Sequence, residues 1–437
     1  MNLKKKINQN KLWYKNKSKY IIIMKIDKYS IFIFLAISIY LYIAYKNSNI
    51  GLSYYDHNLN NSALDEEKDE ILVEVLNQFN IKPSSNLKDT DFLLAAPEQN
   101  IDINNVKGFG TSSFNKTIFS HINEKNVTQK NKFWKALVKE HGRDKASNIM
   151  PEVYLTNNTA DMKEFFEEAH NTTNLGINNN LYLLKSEREG TNGIYISNND
   201  FSDISRQLFN NNKFYNRTFS NSFEKLDDLN NNRYTMIQKY IPNPLVIKNR
   251  VFKISLPIII AKCYGAVKGF VNKNGIVYWS RDKFDIERPS MQNIIASKEQ
   301  MNKNRTQVDV DNLYSKYPRT FIDLKKYCDE NDVGINSTQL SSIITKYCKM
   351  AIHTAHKQIG NNKIVENNVS MDMYNIDIII DSDFKPWIIK FKKARTIKNP
   401  TPLERNMRKK CWKDSLKLFN YVKTSKKNSF KLIWEEN

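Results

Sequence analysis

The side chains best suited to chemistry crowd between Tyr374 and Thr396, which reads YNIDIIIDSDFKPWIIKFKKART. Asp377 opens an apolar β-branched run, Ile378 to Ile380, and a turn built on Asp381, Ser382 and Asp383 follows. Pro386 then leads into a second apolar run, Trp387 to Ile389. Two short apolar strands around a polar turn are a hairpin signal, with charged residues at strand ends that can reach a cleft. Carboxylates at the ends of adjacent strands commonly hold a hard cation against a phosphate. Here only the first strand brings one. Where its partner would stand, the second strand has Lys390, Phe391, Lys392 and Lys393.

Other elements must bring further groups to that hairpin. Leu181 to Ser197, LYLLKSEREGTNGIYIS, reads as strand, loop, strand. Lys185 at the end of an apolar strand, followed by a glycine-containing loop, places an ammonium and free backbone N–H groups near one point, which suits phosphate. Taken alone, the same pattern is equally a plain hairpin. Val127 to Gly142 carries apolar residues at helical spacing, and Pro151 precedes a short strand.

In order and spacing these stretches resemble the tubulin-tyrosine ligase-like family, a branch of the ATP-grasp ligases. In that family a strand ending G-F-D is followed by a D-x-x-x-K-P-W turn and a strand reading L-I-E-V-N; Asp377, Asp381, Lys385, Pro386 and Trp387 match. The family's Glu and Asn, which with the first Asp hold magnesium, fall on Lys390 and Lys392. Tyr234 to Ile260, YTMIQKYIPNPLVIKNRVFKISLPIII, resembles the block in which a Q-K-Y-I hinge binds the adenine edge. Gln238, Lys239, Tyr240 and Ile241 preserve that hinge, and Pro244, Leu245, Arg250 and Phe252 continue the match. Lys185, Gly193 and Ile194 match the phosphate strand and its glycine flap, with Thr191 in place of the first glycine.

The resemblance also marks departures. The family's Asp and Arg after Phe252 fall on Lys253 and Ser255, which removes a guanidinium expected to clamp phosphate. Asn272 replaces the Arg of the K-E-G-F-V-R strand, and the H-L-T-N motif has no convincing counterpart near Asn293 to Ser297. Replacing a metal-binding carboxylate by an ammonium changes the local charge by two units. At an effective dielectric near 20, one unit-charge pair at about 4 Å is worth roughly 4 kcal/mol, so magnesium is expected to bind poorly. What the resemblance implies is therefore an ATP-dependent ligase of amino acids to tubulin whose chemistry is impaired. Lys185, Gly193, Gln238, Lys239, Tyr240 and Ile241 are its implied nucleotide residues and Asp377 its implied metal residue, with no complete catalytic set. Lys185, Lys390 and Lys392 could also hold a nucleotide in place of magnesium, or form a plain solvated cluster. An active ligase that recruits Asp381 or Asp383 to the metal, and a membrane-anchored interaction protein, stay open as alternatives.

The expected fold is α+β: an ATP-grasp arrangement of two α/β lobes gripping a nucleotide cleft, with a small N-terminal subdomain, over residues 96–425. The chain has 67 basic and 46 acidic residues, a net charge of +21, which favours an acidic partner such as a tubulin tail or a nucleotide. No specific nucleic-acid motif stands out. Residues 1–28 carry nine Lys against one Asp, and Tyr29 to Tyr45 is then an uncharged apolar run. That pairing reads as a membrane-spanning signal anchor, short for the purpose; without insertion the protein is expected in the cytoplasm or on the cytoskeleton. Residues 46–95 read as a polar linker with one amphipathic helix, Leu64 to Phe79, and 426–437 as a tail. Cys263, Cys328, Cys348 and Cys411 are too widely spaced for a zinc site or a disulfide framework. His353 and His356 share a helix face with no acidic or Cys partner at ligand spacing, so a structural role is expected.

Overall fold

The structure is a computed structural model, and it describes residues 53–56, 70–84, 92–94, 117–119, 121, 124–174, 181–186, 193–198, 202–208, 234–241, 243–263, 266–359, 369–394, 400–419 and 427–436. These residues form a mixed α+β fold on two sheets. In chain order the strands are β1 (Ser53–Asp56), β2 (Lys82–Pro83), β3 (Phe92–Leu94), β4 (Thr117–Phe119), β5 (Val153–Leu155), β6 (Leu181–Ser186), β7 (Ile194–Asn198), β8 (Tyr234–Lys239), β9 (Val246–Ile247), β10 (Arg250–Cys263), β11 (Ala266–Asn272), β12 (Ile276–Trp279), β13 (Val369–Ile380), β14 (Pro386–Lys393) and β15 (Phe430–Glu436). The longer helices are α1 (Glu70–Gln78), α2 (Lys130–His141), α3 (Thr159–Asn174), α4 (Phe321–Glu330), α5 (Ser337–Gln358) and α6 (Pro402–Leu418).

The large sheet runs β15-β11-β10-β13-β4-β3-β1-β2, with β9 and β12 also on β10 and β14 on β13. Its centre is the antiparallel pair β10 and β13, in register from Ile254 opposite Ile378 to Cys263 opposite Val369. Side chains alternate between faces along a strand, so each face of this pair has its own cover. Ile254, Leu256, Ile258 and Ile260, with Tyr374, Ile376 and Ile378, pack under Leu340, Ile344, Cys348 and Ile352 of α5. On the other face, Ile259, Ala261, Met371 and Met373 pack under Trp412 and Leu416 of α6 and Val75 and Leu76 of α1. Farther along that second face the residues turn polar: Lys253 and Ser255 on β10, Asn375 and Asp377 on β13.

The small sheet has the order β5-β8-β6-β7, antiparallel throughout. One face carries Tyr154, Tyr182, Leu184 and Ile237 against Phe165 and Ala169 of α3 and Ile204. The other carries Leu181 and Leu183, which pack with Tyr240, Phe284, Ile286 and Ile294. Lys185, two residues beyond Leu183, continues that face.

Two segments depart from the linker and tail expected of them. Between 46 and 95, β1, β2 and β3 join the large sheet, and α1 is docked on α6, where Arg405 and Lys409 both pair with Glu74. Within 426–437, β15 pairs antiparallel with β11. β1, β2 and β3 have four, two and three residues, too few for an alternation to show until a neighbouring strand is supplied. Tyr29 to Tyr45 lies outside the described residues, and among the described residues no helix is long and apolar enough to cross a membrane.

The connection from β11 to β12, strands that pair one after the other with β10, passes close to the polar end of β10. A Cβ built on Gly275 would lie 2.5 Å from the Ser255 carbonyl oxygen and 2.8 Å from Leu256 Cδ2. A methyl group there must push main chain, so Gly275→Ala is expected to destabilise the fold by about 1–3 kcal/mol, measured by urea denaturation.

Candidate functional site

Asp377 stands at the polar end of the central strand pair, 1% exposed. Ser255 Oγ, opposite it on β10, donates to Asp377 Oδ1 at 2.6 Å. Lys253 Nζ lies 3.1 Å from Oδ2, and Lys392 Nζ donates to the same oxygen at 3.3 Å. Burial alone would raise the pKa of this carboxyl. Lys253, Lys392, the Ser255 hydrogen bond and Lys390 outweigh burial and hold it well below the usual carboxylate range.

A β-bulge decides which residues of β14 join this face. Ile378 pairs with Ile388 but Asp377 pairs with Lys390, so Ile389 has no opposite number. Phe391 is thereby turned into the α5 core while Lys390 and Lys392 share the face of Asp377. Without the extra residue, Lys390 would fall opposite Ile376 and point into the core.

The small sheet supplies the opposite wall. Lys185 Nζ donates to Gln238 Oε1, and Gln238 Nε2 donates to the Pro151 carbonyl at 3.3 Å. Burial pushes the Lys185 pKa down to about 7, with help from the positive charges of Lys130, Lys390 and Lys253. Lys390 is pushed down to about 8, first by burial and then by Lys392, Lys130 and Lys253, against the pull of Asp377. Lys130, at the start of α2, donates to the Ser186 carbonyl at 2.8 Å. Lysines from α2, β6, β10 and β14 are thus gathered in one region: Lys253 and Lys392 contact Asp377, Lys390 acts on it through its charge, and Lys130 and Lys185 stand beside Lys390. A third wall is acidic and phenolic: Tyr278 donates to Glu404 Oε1 at 2.8 Å, Lys298 pairs with Glu404 Oε2 at 3.1 Å, and Lys253 Nζ lies 5.2 Å from the Tyr278 ring centroid. Glu299 belongs to the same wall; burial works to raise its pKa, but local hydrogen bonds and the fields of Lys253 and Lys392 lower it.

The residues singled out in the sequence divide sharply. Lys185, Lys253, Ser255, Asp377, Lys390 and Lys392 come together, with Gln238 beside Lys185. Lys239 faces the other side of the small sheet and pairs with Glu152 and Glu168, each at 2.7 Å. Tyr240 donates its hydroxyl to the Ile294 carbonyl at 2.9 Å and its backbone N–H to Leu181 at 2.7 Å; Ile241 is buried beside it. The Gly193 carbonyl accepts from the Ser186 N–H, closing β6 on β7, and residues 187–192 lie outside the described residues. Asn272 is elsewhere: it donates to Cys411 Sγ and Ser429 Oγ, tying β11 to α6 and β15. Asp381 builds the turn. Its Oδ1 accepts from the N–H groups of Asp383 and Lys385, and its Oδ2 from Trp387 Nε1 at 2.8 Å, while Lys385 Nζ sits 3.7 Å over the Trp387 ring. Both its oxygens are committed, and Asp383 is exposed at the turn, so neither replaces a missing metal ligand. His353 and His356 bind carboxylates, Glu140 at 3.1 Å and Glu436 at 2.5 Å. Cys328, Cys348 and Cys411 are buried free thiols, and the Cys263 side chain lies outside the described residues.

Sequence reading missed Lys130, Tyr278, Lys298, Glu299 and Glu404. Only Glu404 had a local signal, as the fourth residue of the capping box that begins at Thr401. The residues do not fit magnesium, the ion that the family resemblance implies. A hard divalent cation needs several oxygen ligands, whereas Asp377 meets two ammonium groups on one oxygen. No group of three or more His, Cys, Asp or Glu side chains among the described residues could hold a metal ion.

A family model described as the tubulin-tyrosine ligase family matches residues 109–429. Similar curated proteins include a probable beta-tubulin polyglutamylase of Tetrahymena thermophila, 23% identical over 214 residues that cover 45% of this chain and 17% of that protein. Tubulin glycylase 3C of the same organism is 24% identical over 207 residues, 46% of this chain and 18% of its own length. Tubulin polyglutamylase TTLL7 of Xenopus tropicalis is 20% identical over 210 residues, 45% and 23% of the two chains. The matched region thus spans about a fifth of the length of these relatives.

Two outcomes follow from the charges. A lysine whose folded pKa is depressed penalises the native state wherever the unfolded chain holds the proton. For Lys185 that penalty is full below about pH 7 and disappears as pH rises towards the ordinary 10.5, so stability rises across that window. Lys185→Met should flatten this rise in denaturation curves taken at several pH values. Asp377→Asn leaves Lys253 and Lys392 unpaired. It should cost about 2–4 kcal/mol in urea denaturation, less than a fully buried pair because Lys392 is partly exposed.

Proposed function

This chain belongs to the tubulin-tyrosine ligase family, and from that premise we propose that it is a member which binds without ligating, engaging the acidic tails of tubulin through a cleft that no longer supports magnesium-dependent chemistry. Ligation in this ATP-dependent family requires phosphoryl transfer, which depends on cations placed around the transferring group. The observation that carries the reading is the pair of ammonium groups on Asp377 Oδ2, from Lys253 at 3.1 Å and Lys392 at 3.3 Å. They occupy the side of the carboxylate that a divalent ion needs, and bringing such an ion to contact sets it against two like charges.

The fold in this reading is the ATP-grasp arrangement, with the cleft between the Lys185 face of the small sheet and the Asp377 face of the large one. Lys185, Gln238, Tyr240 and Ile241 line the nucleotide side. The Lys239 side chain is held by Glu152 and Glu168 on the opposite face and its N–H by the Glu152 carbonyl, so it stands outside this set. Tubulin is favoured as partner by the family and by the net charge of +21, which attracts an acidic polypeptide at long range.

The test uses the full chain with tubulin, ATP, magnesium and labelled glutamate, glycine or tyrosine. No incorporation above background is expected, while sedimentation with tubulin persists, weakens with rising salt and is lost when the tubulin tails are removed. Incorporation that Glu299→Gln abolishes would overturn the reading, because it would mean that Glu299 has rebuilt the metal site.

A further inference from the structure

The lysines around Asp377 are more numerous than that carboxylate can neutralise. Lys253 and Lys392 already share one of its oxygens, and among the described residues Lys185 and Lys390 have no ion pair. The positive charges of Lys130 and Lys253 act on both Lys185 and Lys390 and add to the burial that pushes the pKa of each down. Burying like charges together is unfavourable unless an anion is set among them. The Asp377 charge does not repel such an anion strongly, because it is spent on its two lysines. Next to this cluster, on the same face of the small sheet as Lys185, Ile194 and Ile196 are only partly buried and pack with Phe284 and Ile286. A site with apolar side chains beside a dense group of cations matches a molecule with a flat apolar end and a polyanionic one.

We propose that Lys130, Lys185, Lys253, Lys390 and Lys392 form a cradle for the polyphosphate of a nucleoside triphosphate bound without magnesium, the ammonium groups standing where the family places metal. The inference rests on the reading that this cleft binds without ligating. Magnesium opposes such binding twice: it lowers the negative charge of the nucleotide, and it brings a divalent cation against ammonium groups. Ordinary metal-dependent nucleotide sites behave in the opposite sense.

The test is calorimetric titration of the full chain with ATP in a chelator, with ATP in excess magnesium, and with inorganic tripolyphosphate in a chelator. ATP should bind in the chelator, and excess magnesium should weaken it about tenfold or more. Tripolyphosphate separates the sources of the anion: binding weaker than that of ATP means the base contributes, and equal binding means the cradle takes a free polyphosphate. Lys390→Met removes a half-buried charge without adding bulk, so it should leave the fold intact and weaken ATP in the chelator about tenfold. The pair Lys390→Glu and Lys392→Asn should convert the site to magnesium-dependent binding. ATP binding that requires magnesium in the unaltered chain would overturn the inference, as would indifference to Lys390→Met. If ATP fails in both conditions while tubulin tails still bind unmodified, the cradle is wrong and the non-ligating reading stands. Magnesium-dependent binding with amino-acid incorporation removes both.

Discussion

Everything distinctive about this cleft depends on the buried carboxylate of Asp377 and the two ammonium groups that share one of its oxygens. A carboxylate 1% exposed cannot stay charged on its own. Either a metal ion or fixed cations must neutralise it, and the two solutions exclude each other at contact distance. This chain has taken the second. Ser255 fits the same solution, since its hydroxyl satisfies the other oxygen with one neutral hydrogen bond and adds no further charge.

The position of that carboxylate follows from how the central strands are covered. β10 and β13 are apolar on both faces along most of their paired length, as strands buried between two layers of helices must be. The cover of α6 and α1 ends before the residues turn polar, and Lys253, Ser255, Asn375 and Asp377 occupy the part of the face that is left. The site is thus a continuation of the core by polar means. The turn that follows β13 is held by hydrogen bonds to Asp381 and by the β-bridge between Pro244 and Asp381, so the segment after β8 is fastened to that turn. That turn and bridge hold the frame around Asp377, and the charged side chains that meet the carboxylate there are lysines.

Much of this was legible in the chain itself. The helix from Val127 and the strand after Pro151 are where apolar spacing placed them, as α2 and β5 with the short helical turn Lys125–Thr128 before them. The hairpin over Asp377 and Lys390 was likewise plain from its β-branched runs and polar turn. Less visible were β1 and β3, because such short strands acquire a pattern only against neighbours supplied by the fold, and β15, whose partner β11 lies far away in sequence. Glu299, Tyr278 and Lys130 escaped for a related reason: each is one ordinary polar residue in its own element, and nothing local marks it as facing Lys253 or Lys185.

Sequence alone determined the chemical inventory: one carboxylate where a metal site wants several, lysines at the positions beyond it, and the strand periodicity that sets them in a hairpin. Side-chain type and spacing are local properties, so they can be read without coordinates. Tertiary structure decided which of those lysines matter. The bulge at Ile389 turns Lys390 and Lys392 towards Asp377 instead of the core, since a single unpaired residue reverses every side chain beyond it. Long-range packing then brings Lys130, Lys185 and Lys253 from three other elements to the same place. No spacing rule contains that convergence, because it is set by how the small sheet closes over the large one.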